Sequence, residues 1–311
     1  MKSSYLITGG LGLIGSSLAN VLDGEVTVVS RSDKHQDRIK RRDVKVLLKD
    51  INELDKNDLA GVDVIYHCAS TVHNYHVLTE PYLDIDTNLR GTVRLLELCK
   101  DLPKKPKIIY TSTFFVYGNE YDRTGKPINE ESKTDPLGLY PATKLCAESI
   151  IRLYGNLYGI PYLICRLTNV YGENEESDDG KKGTLNFLVM KAVRGEPINL
   201  YRAGNFYRDY IHVDDVVSAL RFLENKAQNE FFLIGYGEPV RFGDMMKYVL
   251  ENTGARSKII DIDPPAFHKV VGVANFVADT SKINKLGWKA GVDYKTGLQR
   301  VIDAYQSMEK R

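Results

Sequence analysis

A short apolar run, YLIT over residues 5–8, breaks at once into GGLGLIGSSLA. Gly9, Gly12 and Gly15 thus stand at three-residue intervals between a strand pattern and a helical one. Few folds accept that arrangement. Gly9 allows a tight turn, Gly12 lets backbone N–H groups approach an anion, and Gly15 lets helix and strand pack closely. The first N–H groups of the helix, those of Leu13 and Ile14 among them, have no partner within it, and the helix dipole adds positive potential there. The loop is therefore suited to a pyrophosphate, and it commits the chain to an α/β fold.

The rest of the chain keeps to that plan for half its length. VTVVS, VKVLL, VDVIYHCAS, KIIYTST and YLICRL are short β-branched runs of the kind that parallel strands make when both faces are buried. Helical spacing lies between them, in LDIDTNLRGTVRLLELCK and ATKLCAESIIRLYGNLYG. The expected fold is a Rossmann-type doubly wound parallel sheet with a smaller mixed C-terminal region. Residues 1–168, with returning segments near 208–236, form the first part; residues 169–207 and 237–311 form the second. A crevice at the ends of such a sheet is where ligands of this fold class bind.

Bulk properties narrow the partners. Lys+Arg at 42 against Asp+Glu at 41 leaves a formal net charge of +1, which argues against nucleic acid or a membrane surface as partner. Cys68, Cys99, Cys146 and Cys165 are far apart and mostly within apolar runs, as in a reducing compartment. No apolar run approaches membrane-spanning length and no cationic leader opens the chain, so a cytoplasmic protein is expected. His73 and His76 in VHNYHV lack further donors nearby, and no metal is expected. Instead the loop after Ala69, with Thr71 and His73, is expected to border a cofactor or substrate. His67 is expected to be a satisfied core histidine.

Two features carry chemistry. LYPATKLCAE puts Tyr140 at a helix start, with Pro141 suited to the first turn and Lys144 one turn on, so both side chains share a face. A phenol near an ammonium titrates lower and can exchange a proton with a substrate hydroxyl. Thr113, closing the preceding strand, can share that oxygen. Second, where a carboxylate commonly holds the adenosine ribose, the chain offers Ser30, Arg31 and Ser32. Arg beside Ser can hold a 2′-phosphate, which tilts the expected cofactor towards NADP(H), with NAD(H) the alternative.

Taken in order, TGGLGLIG, the strand-end TST, YPATK, RLTNVYG and RDYIHVDD resemble the extended short-chain dehydrogenase/reductase family, in its nucleotide-sugar epimerase/dehydratase branch. The resemblance runs over nearly the whole chain. It implies Thr113, Tyr140 and Lys144 as the catalytic triad, Asp50 and Ile51 beside the adenine, Ala69 near the cofactor, and a homodimer. It implies a nucleotide-diphosphate sugar as substrate, met by Asn169 and Arg208, with Lys269 in FHKVVG the only counterpart of a later basic residue. A salt bridge from Arg208 to Asp214 or Asp215 is the structural alternative.

Phe114 and Phe115 follow Thr113, where dehydrating relatives carry Asp and Glu. Neither phenylalanine can transfer a proton, so a 4,6-dehydratase is not expected. An aromatic wall excludes water from a hydride step and can face an apolar sugar substituent, although one of the two rings is expected to fill core. What remains is hydride transfer at C4 of the sugar, as a 4-keto-sugar reductase or a 4-epimerase. A non-catalytic NADP(H)-binding sensor or scaffold on the same fold is the alternative from another class.

Overall fold

The structure is a computed structural model that describes residues 2–71, 76–175, 183–254 and 257–310. In chain order its strands begin with β1 (Ser3–Thr8), β2 (Gly24–Ser30), β3 (Lys45–Leu48), β4 (Val64–His67), β5 (Lys107–Thr113) and β6 (Tyr162–Leu167). They continue with β7 (Asn169–Tyr171), β8 (Ile198–Tyr201), β9 (Tyr207–Arg208), β10 (Tyr210–His212), β11 (Glu230–Ile234), β12 (Val240–Arg241) and β13 (Ile259–Ile262).

Seven of them form one sheet in the order β11-β6-β5-β4-β1-β2-β3. The pairings of β1 with β2 and β4, of β2 with β3 and of β4 with β5 are parallel, as the unbroken apolar runs required. The strand order reverses between β1 and β4, the position at which open α/β sheets bind ligands. One face of this sheet buries Leu6, Ile65, Ile108 and Tyr110 with Leu95, Cys99, Ala147 and Ile151 from the helices Gly91–Lys100 and Leu139–Tyr158.

The chain divides into two compact units, residues 1–116, 138–166 and 217–232 in the first and 117–137, 167–216 and 233–311 in the second. That differs from the division drawn on the sequence by giving 117–137, 167–168, 208–216 and 233–236 to the second unit. The reason is pairing that no local pattern shows. Ile128 N–H donates to Val277 O at 2.8 Å and Asp279 N–H returns a bond to Ile128 O at 2.7 Å. The second unit has its own core, where Leu188, Ile198, Met245, Met246, Leu298 and Val301 meet from the helices Thr184–Val193, Phe242–Thr253 and Tyr294–Glu309 and from β8.

One turn of the second unit is strained. Arg202, Ala203 and Gly204 lie consecutively in the left-handed region, with φ of 53°, 48° and 74°. Asp261 Oδ1 accepts the Ala203 N–H at 2.7 Å and helps to hold the turn. Gly204 must be glycine, because a Cβ there would stand 2.7 Å from Gly243 Cα. Ala203 is exposed and gains nothing from its methyl. Ala203→Gly is therefore expected to stabilise the protein by about 1 kcal/mol, relief of strain outweighing the added freedom of the unfolded chain. A urea midpoint that rises at unchanged slope checks it; a midpoint that falls contradicts it.

Candidate active site

The glycine loop is built as a cradle. A Cβ on Gly9, whose φ is +66°, would stand 2.8 Å from Ala69 N, and one on Gly15 would stand 2.4 Å from Gly9 O. Gly12 meets only Gly9 O, at 3.2 Å, and is exposed. The helix it caps, Leu13–Val21, has no side-chain cap and no acidic residue in its first turn. Its first N–H groups are thus left to an anion, and the residues present fit a dinucleotide pyrophosphate. Ala69 is joined to the end of β1 by its N–H to Thr8 Oγ1, at 3.2 Å.

At the adenosine end the placements are mixed. Ser30 Oγ donates to Ser32 O at 2.8 Å, and Arg31 and Ser32 are exposed. The guanidinium that touches the loop is one the sequence reading passed over: Arg38 Nη1 donates to Leu11 O at 3.2 Å. Asp50 caps the turn Ile51–Glu53, accepting Asn52 N–H at 2.8 Å, while Glu53 returns a bond to the Asp50 N–H. Ile51 is buried in the core of the first unit.

The three expected catalytic residues all fall in the first unit, Thr113 closing β5 and Tyr140 and Lys144 on the helix Leu139–Tyr158. The hydroxyls of Thr113 and Ser70 act on the Tyr140 phenol. Burial pushes its pKa up to about 12; the two hydroxyls work downward and the charge of Asp84 upward. The Lys144 Nζ donates to Thr111 O at 2.6 Å and lies 4.1 Å from the Tyr110 ring centroid. Burial lowers its own pKa to about 7, against the charges of Cys68 and Glu148, which raise it.

Behind these residues lies a buried polar network. Asn88, in the π-helical turn Ile85–Arg90, accepts the Thr71 N–H on Oδ1 at 3.2 Å. That backbone donor fixes which way the amide faces. Oδ1 also accepts from Ser70 Oγ at 2.9 Å, while Nδ2 donates to Thr71 Oγ1 at 2.9 Å and Thr143 Oγ1 at 3.0 Å. Thr143 Oγ1 in turn donates to Tyr140 O at 2.8 Å. His67 is satisfied as expected, 2.8 Å from both Thr8 Oγ1 and Thr92 Oγ1, and burial holds it neutral with a pKa near 3.

Thr71, expected at the substrate, is buried with its hydroxyl bound by Asn88. His73 lies outside the described residues. Phe114 is only 1% exposed and Phe115 partly so, with ring centroids 4.3 Å apart, making Phe114 the ring that fills core. In the second unit, Asn169 Nδ2 donates to Asp209 O at 2.9 Å. Arg208 donates from Nη2 to Val273 O, and burial lowers its pKa to about 10. The alternative of an Arg208 salt bridge to Asp214 or Asp215 is not what the structure shows. Asp214 pairs with Arg300 at 2.9 Å, and Asp215 accepts the N–H groups of Gly291 and Val292. Lys269 is exposed on the short helix Ala266–Val271. Among the described residues there is no group of three or more His, Cys, Asp and Glu able to hold a metal, and no helix long and apolar enough to cross a membrane.

Sequence asked little of the side chains that complete the site. Ser70, Asn88 and Asp84 carry no local motif.

The chain is similar to known proteins over nearly its whole length. The model of the NAD-dependent epimerase/dehydratase family matches residues 5–235. A Methanocaldococcus jannaschii protein provisionally named UDP-glucose 4-epimerase is 28% identical over 304 residues, 96% of this chain and 97% of that one. An Arabidopsis thaliana trifunctional UDP-glucose 4,6-dehydratase, 3,5-epimerase and 4-keto-rhamnose reductase is 28% identical over 325 residues; the chain spans 47% of its length. Among solved structures, Thermotoga maritima UDP-glucose 4-epimerase with UDP-glucose has a TM-score of 0.89 at 26% identity, covering 98% of this chain and 99% of that one. Bacillus cereus UDP-glucuronic acid 4-epimerase, bound to UDP-glucuronic acid and NAD, has a TM-score of 0.86 at 23% identity, covering 98% and 99%.

Proposed function

The chain belongs to the NAD-dependent epimerase/dehydratase family, and from that premise we propose that it is a 4-epimerase of UDP-hexoses or UDP-hexuronates working with a retained nicotinamide dinucleotide. The observation that carries this reading is the composition of the site around Tyr140. Thr113 closes β5 and Tyr140 opens the helix Leu139–Tyr158 in the same unit, and the residues after Thr113, where a dehydratase needs an acid and a base, are phenylalanines.

The nicotinamide, when bound, supplies a hydride acceptor and donor. The protein's own groups do the rest. Gly9, Gly12 and the first N–H groups of the helix Leu13–Val21 would hold the pyrophosphate. Tyr140 takes the proton of the sugar C4 hydroxyl as C4 is oxidised, and returns it when the 4-keto sugar is reduced from its other face. Thr113 fixes the C4 oxygen beside the phenol. Lys144, anchored on Thr111 O, contributes a charge that titrates near neutrality rather than a permanent one. The partly exposed Phe115 excludes water.

The tilt towards NADP(H) drawn from Ser30 and Arg31 has no support from the neighbours, where NAD is the dinucleotide bound. A 4-keto-sugar reductase using NADPH stays as the second reading because Arg31 is exposed at the end of β2, with no carboxylate on Ser30 to Ser32. A non-catalytic sensor has no support from the relatives. The expected result is that denatured protein releases NAD(H) and that UDP-glucose or UDP-glucuronate is converted to its C4 epimer without added cofactor. Protein that purifies empty, binds NADPH over NADH and reduces a UDP-4-keto sugar without epimerising overturns the lead reading.

A further inference from the structure

We propose that the ring of Tyr110 is the seat of the Lys144 ammonium: an aromatic face, in place of a carboxylate, is the second partner that lets this buried lysine carry a charge. The inference rests on the reading of Lys144 as a charge within the site. Lys144 is 1% exposed, and among the described residues its Nζ makes one hydrogen bond, to Thr111 O at 2.6 Å. No ion pair joins it among those residues; Glu148, one turn on, is held by Arg166 at 2.7 Å. An ammonium has three donors, so a single carbonyl leaves it short of partners. Nζ stands over the Tyr110 ring, 4.1 Å from its centroid, well inside the ~6 Å at which a ring face attracts a cation.

The sheet places the ring for this. Tyr110 is opposite His67 in the parallel register of β4 and β5, and the two rings lie 5.2 Å apart. Tyr110 is fully buried, in one core cluster with Ala147 and Ile151 of the helix that carries Lys144. Its hydroxyl has no hydrogen-bond partner among the described residues, so the ring is what this position uses. Burial, with the charges of Glu148, Tyr140 and Cys146 added, pushes the Tyr110 phenol well above its ordinary range. The ring therefore meets the ammonium neutral and not as a tyrosinate. The other titratable groups nearby do not replace it. His67 is held neutral by burial and bound by Thr8 and Thr92. Cys68, just after β4, and Glu148 favour the protonated lysine, yet burial outweighs both. Tyr140 stands one turn before Lys144 on the same helix, and the charge of Asp84 acts on that phenol. Tyr110 is thus a positioning residue that acts through Lys144.

The test reads Lys144 itself. The Cε NMR signal of carbon-13-labelled Lys144, assigned by its absence in Lys144→Met, should titrate about one pH unit lower in Tyr110→Leu than in wild type. The sign follows from what the ring holds: it attracts the ammonium and not the neutral amine. Tyr110→Phe, which keeps the ring face, should bring the titration back to that of wild type. Leucine is smaller than tyrosine, so a second series keeps the shape. Phenylalanine at position 110 bearing first two and then three ring fluorines, which draw electron density from the face, should lower the Lys144 titration in steps below that of Tyr110→Phe. An unmoved titration along the fluorine series overturns the proposal, whatever Tyr110→Leu does, and leaves Tyr110 a packing residue. Turnover gives a further check. The ratio of the wild-type rate to that of Tyr110→Leu should widen about tenfold between about pH 5 and pH 8, as the variant loses its lysine charge first. A ratio that is the same at every pH also overturns the proposal. Absence of UDP-sugar turnover in wild type counts against the proposed function alone, because the Lys144 titration still decides the role of Tyr110.

Discussion

Tyr140→Phe is expected to lower kcat for C4 epimerisation by about 10²- to 10⁴-fold, the usual worth of a positioned proton-transfer group, with KM and retained dinucleotide little changed. The substitution removes one oxygen and leaves the ring in place, so the helix Leu139–Tyr158 has no reason to move. What disappears is the group that is to accept the C4 proton. The pH dependence gives a second check. Oxidation of the sugar needs the phenolate, so its rate rises with pH until the phenol has titrated; reduction needs the phenol, so its rate falls above the same point. With burial the largest cause, that point stands at about 12, and a positive charge bound beside the phenol would bring it down. In Tyr140→Phe both limbs should flatten. Turnover within tenfold of wild type, with the limbs intact, would sink the mechanism.

How much of this was legible depended on whether partners lie near in sequence. The glycine loop, the six early strands and the Tyr140–Lys144 spacing are local patterns with local causes, and each stands where the sequence placed it. The failures are long-range. Nothing within a few residues of Asn88 says that its amide will join Ser70, Thr71 and Thr143, because those contacts bring together three different segments of the first unit. The bond from the Lys144 ammonium to Thr111 O on the adjacent strand is likewise invisible in the local spacing. Asp50 was assigned to a ligand, and its carboxylate also caps a turn, which an Asp three residues before a Glu could have shown. The segment 117–137 looks on the sequence like an extension of the sheet unit, and long-range bonds to Leu233, Ala274, Asn275, Val277 and Asp279 place it in the second.

Arg166→Met is expected to cost about 3–5 kcal/mol of folding stability, the range for stranding one charge of a buried ion pair. Arg166 and Glu148 are both buried in the first unit, with Nη2 to Oε2 at 2.7 Å and Nε to Oε1 at 3.0 Å. Ser112 Oγ donates to the same carboxylate at 2.5 Å, and the guanidinium lies 4.8 Å from the Phe231 ring centroid. Without Arg166, Glu148 keeps one neutral donor and loses its ion-pair partner, with the charge of Lys144, whose pKa is about 7, still acting on it. Against a typical total of about 5–15 kcal/mol the loss is large, and it should appear as a lower denaturant midpoint. Glu148→Met with Arg166→Met should recover most of it, since two apolar side chains in place of a buried pair are often neutral or better. The double variant would still differ from wild type in one respect. Glu148 stands one turn after Lys144, and its charge raises a lysine pKa that burial has pulled down to about 7. With Glu148 gone, Lys144 should lose its proton at lower pH, so the double variant should be stable yet carry a shifted pH profile. If Arg166→Met lies within 1 kcal/mol of wild type, the pair is no support for the sheet; if the double variant keeps the wild-type profile, Glu148 has no part in setting the charge of Lys144.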